Sequence, residues 1–111
     1  MTDVQDKVQQ LQLIEQNIQQ LLVQKQSLQS QLIELESAVE ELGSSEEAWR
    51  IVGNVMVKTD PKKLKESLSE KKKVLDLRIK TVEKQEEKLR AKAQELQQSV
   101  VEKMKDGSKS D

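Results

Sequence analysis

From Val4 to Leu42 the apolar side chains recur at alternating steps of three and four residues. They are Val4, Leu11, Ile14, Ile18, Leu21, Leu28, Leu32, Leu35, Val39 and Leu42, with Lys7 and Lys25 in the two remaining places. A period of 3.5 residues held over this length marks the seam of a coiled coil, so the spacing predicts a helix over 3–42. Gly43 follows the last seam residue directly, where a left-handed helix cap commonly sits. A second stripe runs through Leu68, Lys72, Leu75, Ile79, Val82, Glu86, Leu89, Ala93, Leu96, Val100 and Lys103. Its helix starts at Asp60-Pro61: the aspartate can accept from free first-turn amides, and proline loses nothing at the first helical position. That helix is predicted over 61–105. Residues 106–111, with Gly107 and two serines, read as a flexible tail.

Each predicted helix has about 40 residues and would be about 60 Å long at 1.5 Å per residue. Two helices of matched length around a short insert should fold back as an antiparallel pair, with both chain ends together. Acid and base also meet at helical spacing in Lys62–Glu66, Glu70–Lys73, Lys80–Glu83, Lys84–Glu87 and Glu86–Arg90.

Between the helices the three-and-four spacing stops. Residues 48–52 and 55–59 are β-prone runs separated by Gly53-Asn54, a pair suited to a two-residue hairpin turn because glycine accepts positive φ. In that register Val52 faces Val55, Ile51 faces Met56 and Arg50 faces Val57. Apolar residues then occupy both faces: Val52, Val55 and Val57 on one, Trp49, Ile51 and Met56 on the other. An isolated hairpin is marginal in water. It could fold back over the helix ends, or pair edge to edge with hairpins of other chains in a shared sheet or barrel. The second arrangement is expected, because the helices spend their apolar seams on each other. The fold class is thus mainly α: one domain over 1–105, an antiparallel two-helix coiled coil with a central β-hairpin, 48–59, that joins an intersubunit β-barrel.

Composition narrows the function. Apolar residues make up 34% and charged residues 35%, and Trp49 is the one aromatic, which suits seams better than a compact core. With no Cys and no His, the chain lacks thiolate nucleophiles, imidazole bases and the usual zinc ligands. The acids fit solvated helix faces better than catalytic pairs, so neither an enzyme nor a cofactor is expected. No membrane span or secretory leader is visible. The cluster Lys71-Lys72-Lys73 has no stacking aromatics beside it, so nucleic-acid binding is not expected. Residues 1–42 carry a net charge of −5 and residues 61–105 a net charge of +6. Beyond solvating each outer face, this asymmetry favours pairing of the two segments with each other.

Near the chain ends the apolar content exceeds what one seam needs. Val8 and Leu13 lie off the first seam beside Val4 and Leu11, while Val101 and Met104 lie off the second beside Val100. These residues either widen the seam or offer an adaptable apolar surface.

The Gln-rich first helix, the hairpin AWRIVGNVMVKTD at residues 48–60 and LDLRIKTVEKQEEKLRAKAQELQ at residues 75–97 together resemble the prefoldin family, in its beta-type, archaeal form. The resemblance covers residues 4–105. A single hairpin argues for beta, since the alpha type carries two. Trp49 stands where many relatives have tyrosine. The resemblance implies a cytoplasmic hexamer of two alpha and four beta subunits, with the hairpins forming a double-barrel platform and the coiled coils hanging from it. It implies ATP-independent holding of unfolded clients at the coiled-coil tips, here Val4, Val8, Leu11, Leu13, Val100, Val101 and Met104, and delivery to a group II chaperonin. Trp49, Ile51, Val52, Val55, Met56 and Val57 would form the oligomer interface. Chaperonin docking at the tips points to Lys103, Lys105 and Lys109. The alternative is a scaffold or tether subunit without chaperone activity.

Overall fold

The computed structural model describes residues 2–109, with side chains from Asp3 to Lys105. Helix α1 spans Thr2–Leu42, strands β1 and β2 span Ala48–Val52 and Val55–Thr59, and helix α2 spans Pro61–Lys109. By its contacts the chain divides into two compact units, Met1–Lys25 with Thr81–Asp111 and Gln26–Lys80, and both helices pass through each.

In the first unit the helices run antiparallel. Asp3 meets Lys103, Lys7 donates to the Ser99 hydroxyl, and Lys25 reaches Glu83 at 3.8 Å and Glu86 at 3.9 Å. Partners on α2 therefore descend as α1 ascends. Ile14, Ile18 and Val82 are the buried residues of this unit.

In the second unit Glu36 pairs with Lys72 at 3.4 Å, and Leu28, Leu75, Ile79 and Ala48 are buried. Every seam position predicted in both helices is buried or half-buried, and none is exposed. The four polar seam residues outside Glu86 each find a partner on the opposite helix. Lys25 and Glu86, one from each seam, pair with each other, and a polar contact inside an apolar stripe specifies register.

The helix ends follow local chemistry. Asp60 caps α2: its Oδ1 accepts from the Lys62 amide at 3.1 Å, and its carbonyl accepts from Leu64 at 3.0 Å. The C-terminus of α1 differs from the expected left-handed cap. Gly43 does not have positive φ; its amide is shared between the carbonyls of Val39 at 3.1 Å and Glu40 at 3.2 Å, and Ser45 then bonds to Leu42 at 3.3 Å. The helix closes by tightening its last turn, so those carbonyls gain partners without a left-handed residue. Helix α2 continues to Lys109, past the expected boundary at 105. Gly107 costs the helix only about 1 kcal/mol relative to alanine, and no proline interrupts the hydrogen-bond ladder. Residues 110 and 111 of the expected tail lie outside the described residues.

Of the five expected ion pairs within α2, Glu70–Lys73 forms at 3.8 Å and Glu86–Arg90 at 2.9 Å. Glu83 turns across to Lys25 instead of back to Lys80.

Candidate functional site

The hairpin is built around Gly53-Asn54. Gly53 has φ of 62° and Asn54 stays at negative φ, the pattern of a II′ turn, whose twist matches that of the flanking strands. The turn fixes the register Val52↔Val55, Ile51↔Met56, Arg50↔Val57, Trp49↔Lys58 and Ala48↔Thr59. Side chains alternate across a strand, so Val52, Val55 and Val57 share one face while Trp49, Ile51 and Met56 share the other. All six are exposed, from 46% at Val57 to 71% at Ile51. Ala48 is the buried member of the hairpin. The hairpin is therefore not folded back to hide its apolar faces. The two strands form a two-stranded sheet, so each has one unpaired edge. The strand pair thus leaves two apolar faces and two open edges uncovered.

The surplus apolar residues lie in the first unit, which holds both ends of the chain. Val8, Leu13, Val101 and Met104 are exposed, whereas Val4, Leu11 and Val100 are half-buried in the seam beside them. The first four stand out of the seam rather than widening it.

The lysines are less alike than the sequence implies. Lys103 is half-buried and bound to Asp3 of α1. The hydrogen bond from Lys103 and its charge, with a further contribution from Lys7, hold the Asp3 carboxyl below the usual carboxylate range. Lys105 is exposed and engaged in a contact of its own. Lys109 closes α2 on the backbone, and its side chain lies outside the described residues.

Sequence reasoning passed over Val23, Ile33, Val74 and Leu77, which are also exposed. Their signal is an apolar position off the seam, the same one that marks Val8, Leu13, Val101 and Met104. Among the described residues no cluster of acids is arranged to hold a metal ion, and no helix is long and apolar enough to cross a membrane.

A subunit of coiled coil and open hairpin has known counterparts. The family model described as prefoldin subunit matches residues 5–107. The chain is 46% identical over 56 residues to prefoldin subunit beta of Methanococcus maripaludis, covering 50% of each chain. It is 38% identical over 60 residues to that of Sulfurisphaera tokodaii, covering 54% of this chain and 48% of the relative. The chain thus spans about half the length of the curated relatives it matches. The crystal structure of the prefoldin beta subunit from Thermococcus strain KS-1 superposes with a TM-score of 0.84 at 34% identity, covering 87% of this chain and 88% of that one. This chain belongs to the prefoldin subunit family.

Proposed function

We propose that this chain is a beta-type subunit of a hetero-oligomeric chaperone that holds unfolded proteins without ATP and passes them to a group II chaperonin. The observation that carries the reading is where the exposed apolar side chains fall: six on the hairpin, and Val8, Leu13, Val101 and Met104 beside the chain ends. In this reading hairpins of alpha and beta subunits, two and four in number, pair along their open edges into a shared barrel. Trp49, Ile51, Val52, Val55, Met56 and Val57 become its interior and its contacts. Exposed apolar residues beside the chain ends hold a client by several weak contacts at once, and affinity arises from multivalency. Val4, Leu11 and Val100 form the half-buried floor of that surface.

Docking on the chaperonin falls to Lys103, Lys105 and Lys109, with Lys103 exchanging Asp3 for an acidic partner. Side chains of this chemistry steer encounter and are screened by salt.

Converting Val8, Leu13, Val101 and Met104 together to serine tests the client site. The expected outcome is loss of aggregation suppression on a chemically unfolded client, with oligomer mass unchanged. Retained holding activity would place the client site elsewhere. A scaffold subunit would show no holding activity even in the wild type.

A further inference from the structure

The chain contains 15 glutamines, and their distribution is uneven: 12 fall in the unit formed by Met1–Lys25 and Thr81–Asp111, and none lies between residues 32 and 84. Glutamine is a good helix former, but so are the lysine and glutamate that fill the outer faces elsewhere. Propensity therefore does not explain the segregation.

Within that unit a groove of about 880 Å³ runs between the helices. Gln12, Gln16, Gln19 and Gln20 of α1 line one wall, Gln94 and Gln97 of α2 line the other, and Ile18 and Ala93 are at its base. The charges on the groove, Glu15 and Arg90, are one of each sign. A second groove shares Gln94 and Gln97 and leads past Gln98 to Val101. The amides of Gln12, Gln16, Gln94 and Gln97 have no protein partner among the described residues.

A side-chain amide carries one acceptor oxygen and two N–H donors, the same groups that a peptide bond presents. Two facing rows of such amides match an extended main chain, whose N–H and C=O groups point alternately to either side. They place no demand on the side chains of the occupant. A neutral groove makes no demand on its charge either. Unfolded polypeptide is the occupant with this chemistry, because a folded protein has already paired its backbone groups.

We propose that this glutamine-lined groove binds the main chain of an extended polypeptide by amide–amide hydrogen bonds, beside the apolar contacts at Val101. The inference rests on the chaperone reading and adds a second mode of client contact, one that reads the backbone. Each exposed bond contributes little net free energy, so the groove acts through several in parallel.

The test uses the full chain and a labelled peptide of alternating alanine and serine, which gives the apolar residues little to hold. A second peptide has the same sequence with every other backbone nitrogen methylated, which removes donors and leaves the side chains unchanged. Binding is measured by fluorescence anisotropy at low and high salt. Wild type is expected to bind the unmethylated peptide with little salt dependence, and the methylated one about tenfold more weakly, as for a few net bonds at the lower end of their usual value. Replacing Gln12, Gln16, Gln94 and Gln97 together with alanine, which keeps helix propensity, should lower affinity for the unmethylated peptide to the same level. Equal binding of both peptides by wild type, undiminished binding by the quadruple variant, or no measurable binding by wild type would each overturn the groove. None of these would touch the apolar client site, which is read separately from aggregation suppression by the serine variant.

Discussion

Placing a carboxylate on the hairpin separates its role in assembly from any role in folding, because its apolar residues are exposed in the isolated chain. Val55 is 63% exposed and Ile51 is 71% exposed. Fully burying a valine or isoleucine side chain contributes about 1.5–3 kcal/mol, so covering what is still exposed would contribute about 1–2 kcal/mol at each position. In Val55→Asp that gain is lost, and a carboxylate must be desolvated at a cost of several kcal/mol. The sum is about 4–6 kcal/mol, or three to four orders of magnitude in the assembly Kd. Val55→Ala loses only the apolar part, about 1 kcal/mol or fivefold. In the unassembled chain both side chains point into water, so the stability of the helices should change by no more than about 0.5 kcal/mol. Sedimentation velocity of the chain mixed with an alpha-type subunit reads the first effect, and circular dichroism under urea reads the second. An oligomer unchanged in Val55→Asp would remove the hairpin from the interface. Loss of helix in the unassembled variant would show that Val55 serves folding and refute the separation.

Three further outcomes follow from the same geometry. Ile79→Ala should cost about 2–3 kcal/mol in urea unfolding, the lower part of the range for a buried isoleucine, because a two-helix seam can partly collapse around the gap. Gly53→Ala should cost about 1–2 kcal/mol through its φ of 62° alone, since nothing lies within 4 Å of the added Cβ, and Gly53→Asn should cost less; thermal unfolding checks both. Reversing Lys103, Lys105 and Lys109 to glutamate should weaken chaperonin association most at low salt and converge with wild type as salt rises, while client holding survives. Equal affinity at low salt, measured by surface plasmon resonance, would sink the lysine contact.

The seam was legible because period alone places a residue on a coiled-coil stripe, whatever its neighbours are, and even Lys7, Lys25, Lys72, Glu86 and Lys103 fell where the spacing put them. The hairpin register was legible for a similar reason: a two-residue loop leaves one pairing. Helix ends were not. Gly43 can close a helix by a left-handed residue or by a tightened turn, and glycine permits both. Gly107 weakens a helix by too little to end it. The ion pairs within α2 were only partly legible, because exposed lysine and glutamate have many conformers and a cross-helix partner competes, as at Glu83. For the candidate site, the sequence located the apolar surplus at Val8, Leu13, Val101 and Met104. That it stands in solvent depends on how wide the seam is, which spacing does not state. The glutamine groove was illegible for a different reason: its two walls come from residues about 80 positions apart, and only the antiparallel register brings Gln12 and Gln16 beside Gln94 and Gln97.

A pair of helices joined along one seam has a thin interior, and no large side chain among the described residues is fully buried. Singly scattered surface apolar residues are normal in proteins and need no explanation. Among the described residues the exposed large apolar side chains number 14, and scattering does not describe them: six sit within Ala48–Thr59 and four more beside the chain ends. Val23, Ile33, Val74 and Leu77, the remaining four, are spread along both helices. A chain with so small a core gains nothing for its own fold from leaving ten such side chains in water at two places. On the reading proposed above, each group is covered by something other than this chain. On the hairpin, the open strand edges favour another strand as that cover in the proposed assembly. Beside the chain ends the neighbouring groups are glutamine amides and a flexible methionine, chemistry that fits the proposed occupant of varied sequence.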